Sequence, residues 1–470
     1  MKKTFGPTHV LILIALLTLI LVPRPLAGYL DLAQAEIRST GHFKFLDIAP
    51  CYASAAERIP WRPDIYERAG FAYQNGGDYS TAEKFYRIAL LHHALSSNGW
   101  MAWGSAIYAQ GDVPGAVAIW EEALKQKDPD PYVHAYLAEG YEKMENYAGA
   151  VQEWKIFLQA STDNAWGHYR LGLLLMATAP EEALPELMQV AQLDPDLEPT
   201  VQGLRTALNT AFLSDDEAAH FLAAGRALGT LGEWNLAAEA FQNAITTRAD
   251  YAEAWAWLAE AEQQQGQDGS HEIEQALTFG PESAMVQGLY GLYLQRQGKP
   301  DAALAAFHKA ADLEPEDAGW QLALGSASEQ TGDLIAAYGY YFHAVELAPK
   351  DASTWRALAT FSVNNNVDVE ETGLPAAQKL IDIAPNDWKS YDLAGQAAFL
   401  MEDYIDAEIY LKKAVQMSPT QAAPALHLGM VYMQTGDRDK AYSYLTLART
   451  LDPDGSYGWQ AGRLLEQYFP

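Results

Sequence analysis

The sequence predicts an all-α chain, a solenoid of stacked helical hairpins preceded by a hydrophobic N-terminal helix. Three observations carry this expectation: small residues recur every 34 positions, each repeat holds two helix-spaced apolar stripes, and turn residues punctuate those stripes at fixed places. Ala82, Ala116 and Ala150 keep the interval, and Gly70, Gly104 and Gly172 fall on it. A period of that length without two-residue alternation means helix pairs, each burying its apolar face against its neighbours.

The first 28 residues stand apart as a signal peptide or membrane anchor. Lys2 and Lys3 precede an apolar run over 10–22, which Pro23 and Pro25 close. The run matches a signal-peptide core and falls short of the ~20 residues a bilayer crossing needs. Cleavage after Ala27 puts Pro25 where a small residue is wanted, so a secretory signal and an uncleaved anchor with the lysines inside both stay open. Either one places the remainder outside the cytoplasm, attached to the cytoplasmic membrane or secreted across it.

Twelve units follow. They begin at Tyr29, Pro63, Ser97, Pro131 and Ala165, then at Ala218, Ala252, Ala284, Ala318, Ala352, Trp388 and Ala422. Position 8 is small in every unit after the first and position 20 is usually Ala, which lets the two helices of a hairpin approach closely. Large residues fill the space between them, at position 4 (Trp100, Phe221) and position 24 (Tyr86, Trp120, Trp154, Phe241, Phe307, Tyr341). Spacings of 4, 7, 8 and 11 mark one stripe and 20, 24 and 27 the other, so each helix is amphipathic towards its mate. Positions 15 and 16 read Gly-Asp or Gly-Glu in five units: Gly77-Asp78, Gly111-Asp112, Gly232-Glu233, Gly332-Asp333 and Gly436-Asp437. There Gly ends helix A in a left-handed conformation and an acid opens helix B against its dipole. Prolines such as Pro315, Pro385 and Pro453 close helix B.

Departures from the period are expected in loops: a turn one residue short in the fourth unit, two residues missing from the seventh, and an insertion at 364–366 in the tenth. The stretch 198–217 fits no unit. It carries one helical pattern over 200–212 and then Ser214-Asp215-Asp216-Glu217, which has the form of a capping box. The expected organisation is thus an N-terminal array at 29–197, a break at 198–217, a C-terminal array at 218–455 and a capping helix at 456–470 with Trp459, Leu464 and Leu465 inside.

Charge and chemistry narrow the function. Against 31 Lys and Arg stand 61 Asp and Glu, a net charge of −30 that repels nucleic acid and anionic lipid. A membrane connection runs only through 1–28. Cys51 is the single cysteine, so disulfides and Cys-based metal sites are out. No phosphate loop, GxSxG elbow or HExxH is present, and repeats fill nearly all the chain. No enzyme, cofactor, metal site or catalytic residue is expected. His134 and His168 share position 4 of consecutive units and read as packing residues, while Asp128-Pro129-Asp130 and Asp452-Pro453-Asp454 read as capped turns rather than calcium loops.

The pattern of small, aromatic and Pro positions over 29–455, clearest in Gly291, Leu294, Ala303, Phe307, Ala310 and Pro315, resembles the tetratricopeptide repeat (TPR). It also resembles extracytoplasmic all-repeat proteins of the Chloroflexi type. The resemblance implies a right-handed α-solenoid with positions 2, 5, 9 and 12 lining a concave groove. The Lys and Asn that clamp a terminal carboxylate at positions 5 and 9 in peptide-binding members are missing here. The candidate partner-binding set is Met101, Tyr108, Tyr132, Trp166, Tyr169 and Met176, with Glu139 and Glu142 beside them favouring a basic partner. Two functions follow as alternatives: a non-enzymatic scaffold of the cell envelope that binds other proteins or peptides in the groove, and a glycan-handling accessory protein of polysaccharide export or cell-wall assembly.

Overall fold

The computed structural model describes residues 23–41, 44–92 and 95–469. The apolar run at 10–22, expected as the hydrophobic helix, lies outside them. Among the described residues there are 26 α-helices and no strand, and no helix is long and apolar enough to cross a membrane. The chain divides into two compact units, one ending at Ala249 and the other starting at Asp250.

In the first unit the hairpins are α1 (Pro23–Ser39) with α2 (Phe45–Arg58), α3 (Asp64–Asn75) with α4 (Tyr79–Leu91), α5 (Ser97–Ala109) with α6 (Val113–Leu124), α7 (Tyr132–Lys143) with α8 (Tyr147–Ala160), and α9 (Ala165–Thr178) with α10 (Pro180–Leu193). A lone helix α11 (Glu198–Ala211) precedes a sixth hairpin, α12 (Glu217–Thr230) with α13 (Trp234–Thr247). The expected starts of helix A agree with these bounds to within one residue from the second unit to the sixth. α1 starts six residues before Tyr29, because Pro23 and Pro25 sit in its first turn, where a missing N–H costs nothing.

The turns obey a single backbone rule. Position 15 is left-handed in every unit from the second to the twelfth except the fifth, with φ of 83° at Gly77, 89° at Gly111 and 77° at Gly232. Where glycine is absent, Glu145, Asn366 and Glu402 hold φ of 57°, 52° and 62°. The following acid then caps helix B: Asp78 accepts from the Thr81 amide at 3.1 Å and Asp112 from Gly115 at 2.9 Å. The fourth-unit turn, expected to be short, is complete at Glu145. It is the fifth that has lost a residue, since Ala179 has φ −157° and α10 begins directly after it. At 214–217 the cap is Asp216, which accepts from the Ala218 amide at 3.1 Å, while Ser214 Oγ accepts from Asp216's own amide at 3.2 Å. The expected Ser–Glu box does not form because the helix starts two residues later than that box requires.

The rings expected at position 24 are all core: Tyr86, Trp120, Trp154, Phe241, Phe307 and Tyr341 are buried. Each such ring contributes about 1.5–3 kcal/mol by leaving water. The close approach expected from position 8 holds as well, since a Cβ at Gly225 or Gly291 would come within 2.5 Å of Phe241 or Phe307.

The lone helix changes the stacking within the first unit. α11 lies against α10 and α12, and α9 packs directly on both α12 and α13. Asn243 Nδ2 donates to the Ala177 carbonyl at 3.0 Å across that contact. Helix α9 is therefore packed against α8, α10, α12 and α13, and residues 171–177 are all buried.

In the second unit the hairpins are α14 (Ala252–Gln264) with α15 (Ser270–Phe279), α16 (Ala284–Arg296) with α17 (Pro300–Leu313), α18 (Ala318–Thr331) with α19 (Leu334–Leu347), α20 (Ala352–Asn365) with α21 (Leu374–Ile383), α22 (Trp388–Leu400) with α23 (Tyr404–Met417), and α24 (Ala422–Thr435) with α25 (Arg438–Leu451). The insertion in the tenth repeat is taken up by left-handed Asn366 and Asp368 and a π-turn at Val369–Gly373. Helix α26 (Ser456–Tyr468) packs against α25 with Leu465 buried and Leu464 partly buried, while Trp459, expected inside with them, is not. Gly458, Ala461 and Leu465 face α25, and Trp459 points outward, 61% exposed, with the Arg463 guanidinium 5.1 Å from its ring. Residues 458, 461 and 465 share one helical stripe; 459 lies about 100° away from 458, so it cannot join them.

Candidate partner-binding cleft

Helices α7 and α9 carry six of the eight candidates, and Met101 and Tyr108 lie on α5. The N-terminus of α7 is set by Asp130, which accepts from the Tyr132 amide at 2.9 Å, and that of α9 by Asn164, which accepts from Gly167 at 2.7 Å. These caps bring Tyr132 and Trp166 to the rims of a cleft of about 180 Å³ that Tyr136, Glu139, Trp154 and Phe157 also line. Tyr132 is 51% and Trp166 54% exposed, whereas Trp154 and Phe157 form a buried floor. Tyr132 meets Phe157 edge-on at 5.1 Å, and Trp154 meets Phe157 the same way at 5.7 Å.

The other candidates divide. Tyr169 is half-buried beside Trp166, with ring centroids 5.8 Å apart. Met101 and Tyr108 pack partly into the core of the third hairpin: the Met101 carbonyl accepts from Trp120 Nε1 at 3.1 Å, and Tyr108 lies 6.0 Å from the Trp120 ring. Met176 is fully buried. It is no groove residue, because the extra contacts of α9 with α12 and α13 enclose the face that an ordinary repeat leaves open.

Glu142 is not free to attract a basic partner. Its carboxylate accepts from Trp154 Nε1 at 2.7 Å and from Arg170 Nε at 3.2 Å, with a second, shorter bond from Arg170 Nη2. Arg170 also donates to Glu233 at 2.8 Å. Burial opposes the guanidinium's charge, but the two carboxylates outweigh it and hold Arg170 above its ordinary pKa. Glu139 differs: it is open to water at the cleft and makes no ion pair among the described residues. The protein walls around it, and then the Glu142 charge, raise its pKa, against a hydrogen-bonding contribution from the Trp166 indole. Tyr108 is raised for the same reasons, burial first and then Glu139 and Glu142. The structure places Tyr132, Glu139 and Trp166 of the candidate set at one cleft and adds Tyr136, Trp154 and Phe157 to its lining, of which the sequence pattern names only Trp154, as a position-24 packing residue.

The histidines and capped turns are structural in their contacts. His134 Nδ1 lies 2.5 Å from Glu153, and His168 Nδ1 lies 2.6 Å from Glu186 with Nε2 3.1 Å from the Thr162 carbonyl. Asp452 accepts from the amides of Tyr457 and Gly458 at 3.0 and 3.1 Å, which ties the start of α26 to the last hairpin.

No curated protein matches the chain. Among solved structures it is similar to a chain of the APC/C hetero-tetramer Cut9–Hcn1, at 15% identity over 97% of this chain and 98% of that one, with a TM-score of 0.41. Yeast Tom70 is similar at 15% identity over 96% of both chains, with a TM-score of 0.42. YrrB, a TPR protein with an unusual peptide-binding site, is similar at 19% identity over 41% of this chain and 97% of that one, with a TM-score of 0.33. Two family models, both described as tetratricopeptide repeat, match residues 68–131, 222–270 and 291–352 in one case and 398–465 in the other, together about half of the chain. With helix pairs, left-handed turns and buried position-24 side chains, rings or leucines, running through these segments, the chain belongs to the tetratricopeptide-repeat proteins.

Proposed function

We propose that the chain is a non-enzymatic protein-interaction scaffold of the cell envelope, docking a segment of a partner protein at the cleft between α7 and α9. One observation carries this reading: Trp166 and Tyr132, two large rings, stay about half exposed at the rims of the same cleft. A folded chain gains by burying such rings, and aromatic side chains beside a pocket dominate binding energy at protein interfaces. TPR proteins are generally protein-interaction scaffolds, which agrees with it. The envelope address rests on Lys2, Lys3 and the apolar run at 10–22.

The test is capture from solubilised envelope with the intact chain and with a W166A/Y169A variant. Helicity should be retained and capture of a defined protein reduced. Loss of folding without a selective loss of capture would assign both rings to the core and remove the cleft from consideration. Retention of a glycan in place of a protein would favour the glycan-handling alternative, which draws on the same exposed rings.

A further inference from the structure

The cleft has a composition that an apolar anchor does not require. Tyr132 and Trp166 stand at its rims, Tyr136 on its wall, and Trp154 and Phe157 beneath, so five rings surround about 180 Å³. That is below the roughly 300–1,000 Å³ of ordinary small-molecule pockets and suits a single side-chain head. Ring faces carry negative potential and attract organic cations, more strongly as water is excluded. Trp166 already takes one cation this way, the Arg170 guanidinium lying 5.9 Å from its ring. That guanidinium is spent on Glu142 and Glu233, and Glu139 on the cleft wall is left without an ion pair among the described residues. Five rings and a carboxylate whose neighbouring cation, Arg170, is ion-paired with Glu142 and Glu233 favour a further positive charge, and the chain's net charge of −30 draws cations in.

We propose that this cleft is an aromatic cage for the cationic head of a lysine or arginine side chain on the partner segment, with Glu139 as its counter-charge. It rests on the scaffold reading above and specifies the anchor. The raised pKa of Glu139 agrees with it, since the protein walls and the Glu142 charge beside it disfavour its carboxylate and a bound cation would favour it.

The probes are three capped tripeptides, Gly-Lys-Gly, Gly-Arg-Gly and Gly-norleucine-Gly, titrated into the full chain and followed by calorimetry, with choline as a fourth arm. Norleucine keeps the length of lysine and removes the charge. A cationic peptide should bind at least about tenfold more tightly than the norleucine peptide, and E139Q should abolish most of that difference. E139Q alters an exposed side chain, so its circular dichroism should be unchanged; Y132L provides a second variant that keeps apolar bulk and removes a ring. Equal binding of lysine and norleucine peptides, unchanged preference in E139Q, or no binding by any peptide would overturn the cage. Choline binding more tightly than both cationic peptides would overturn its assignment to a peptide side chain. If the cage fails while W166A/Y169A still reduces capture of a protein partner, the scaffold reading stands without it.

Discussion

Gly104 faces Trp120 so closely that a Cβ on the glycine would overlap indole Nε1, the same atom that donates to the Met101 carbonyl at 3.1 Å. Helix A and helix B of the third hairpin are thus held together by a missing side chain on one and a full-sized ring on the other. The same relation joins Gly70 to Tyr86 and Gly325 to Tyr341.

G104A should therefore displace the indole and break its hydrogen bond, destabilising the first unit by about 2 kcal/mol or more. G203A is the control. Gly203 lies in α11 with nothing within 4 Å of a built Cβ, so alanine there should stabilise by about 0.5–1 kcal/mol through helix propensity alone. Urea melts of the two variants should move in opposite directions.

Glu145 and Glu402 occupy the left-handed turn position that other units give to glycine. A Cβ there is strained by about 1–2 kcal/mol, from which the greater flexibility of an unfolded glycine takes back part. E145G and E402G should each raise stability by about 0.5–1 kcal/mol, measured as an increase in denaturation midpoint without change in slope.

Glu262, Glu272 and Asp268 make a like-charge group in the seventh hairpin. Burial, then a shared hydrogen bond with Glu272 and its charge, then Asp268, push Glu262 up from an ordinary 4.5 to about 7. The folded state holds this proton more tightly than the unfolded chain does. The penalty is absent below 4.5, grows as pH rises, and is full above about 7. E272Q should accordingly raise the melting temperature of the second unit at pH 8 and leave it nearly unchanged at pH 4. An equal shift at both values would show that the pair does not titrate with folding.

Deleting 456–470 should uncover Leu445 and Ala448 of α25, both fully buried under Ala461 and Leu465. An exposed solenoid end aggregates. Light scattering should report association at concentrations where the intact chain stays dispersed; unchanged scattering and melting temperature would show that α26 is dispensable as a cap.

What the sequence by itself determined is the repeat: its length, where helix A begins from the second unit to the sixth, the rings that form the core at position 24, and the glycines at which the backbone turns left-handed. These follow from local spacing and turn chemistry, which every unit repeats and which Gly77, Asp78, Ala82 and Tyr86 display in one stretch. Tertiary structure alone decided which groove positions remain open. Tyr108, Glu142 and Met176 share position 12 of their units, yet Tyr108 is half-buried, Glu142 is bound by Arg170 and Trp154, and Met176 is sealed in the core. The difference arises because α11 lets α12 and α13 pack onto α9, and because Arg170 reaches both Glu142 and Glu233, the latter 63 residues away in sequence. Spacing within one repeat sets the face on which a side chain lies; neighbours distant in sequence set whether that face meets solvent.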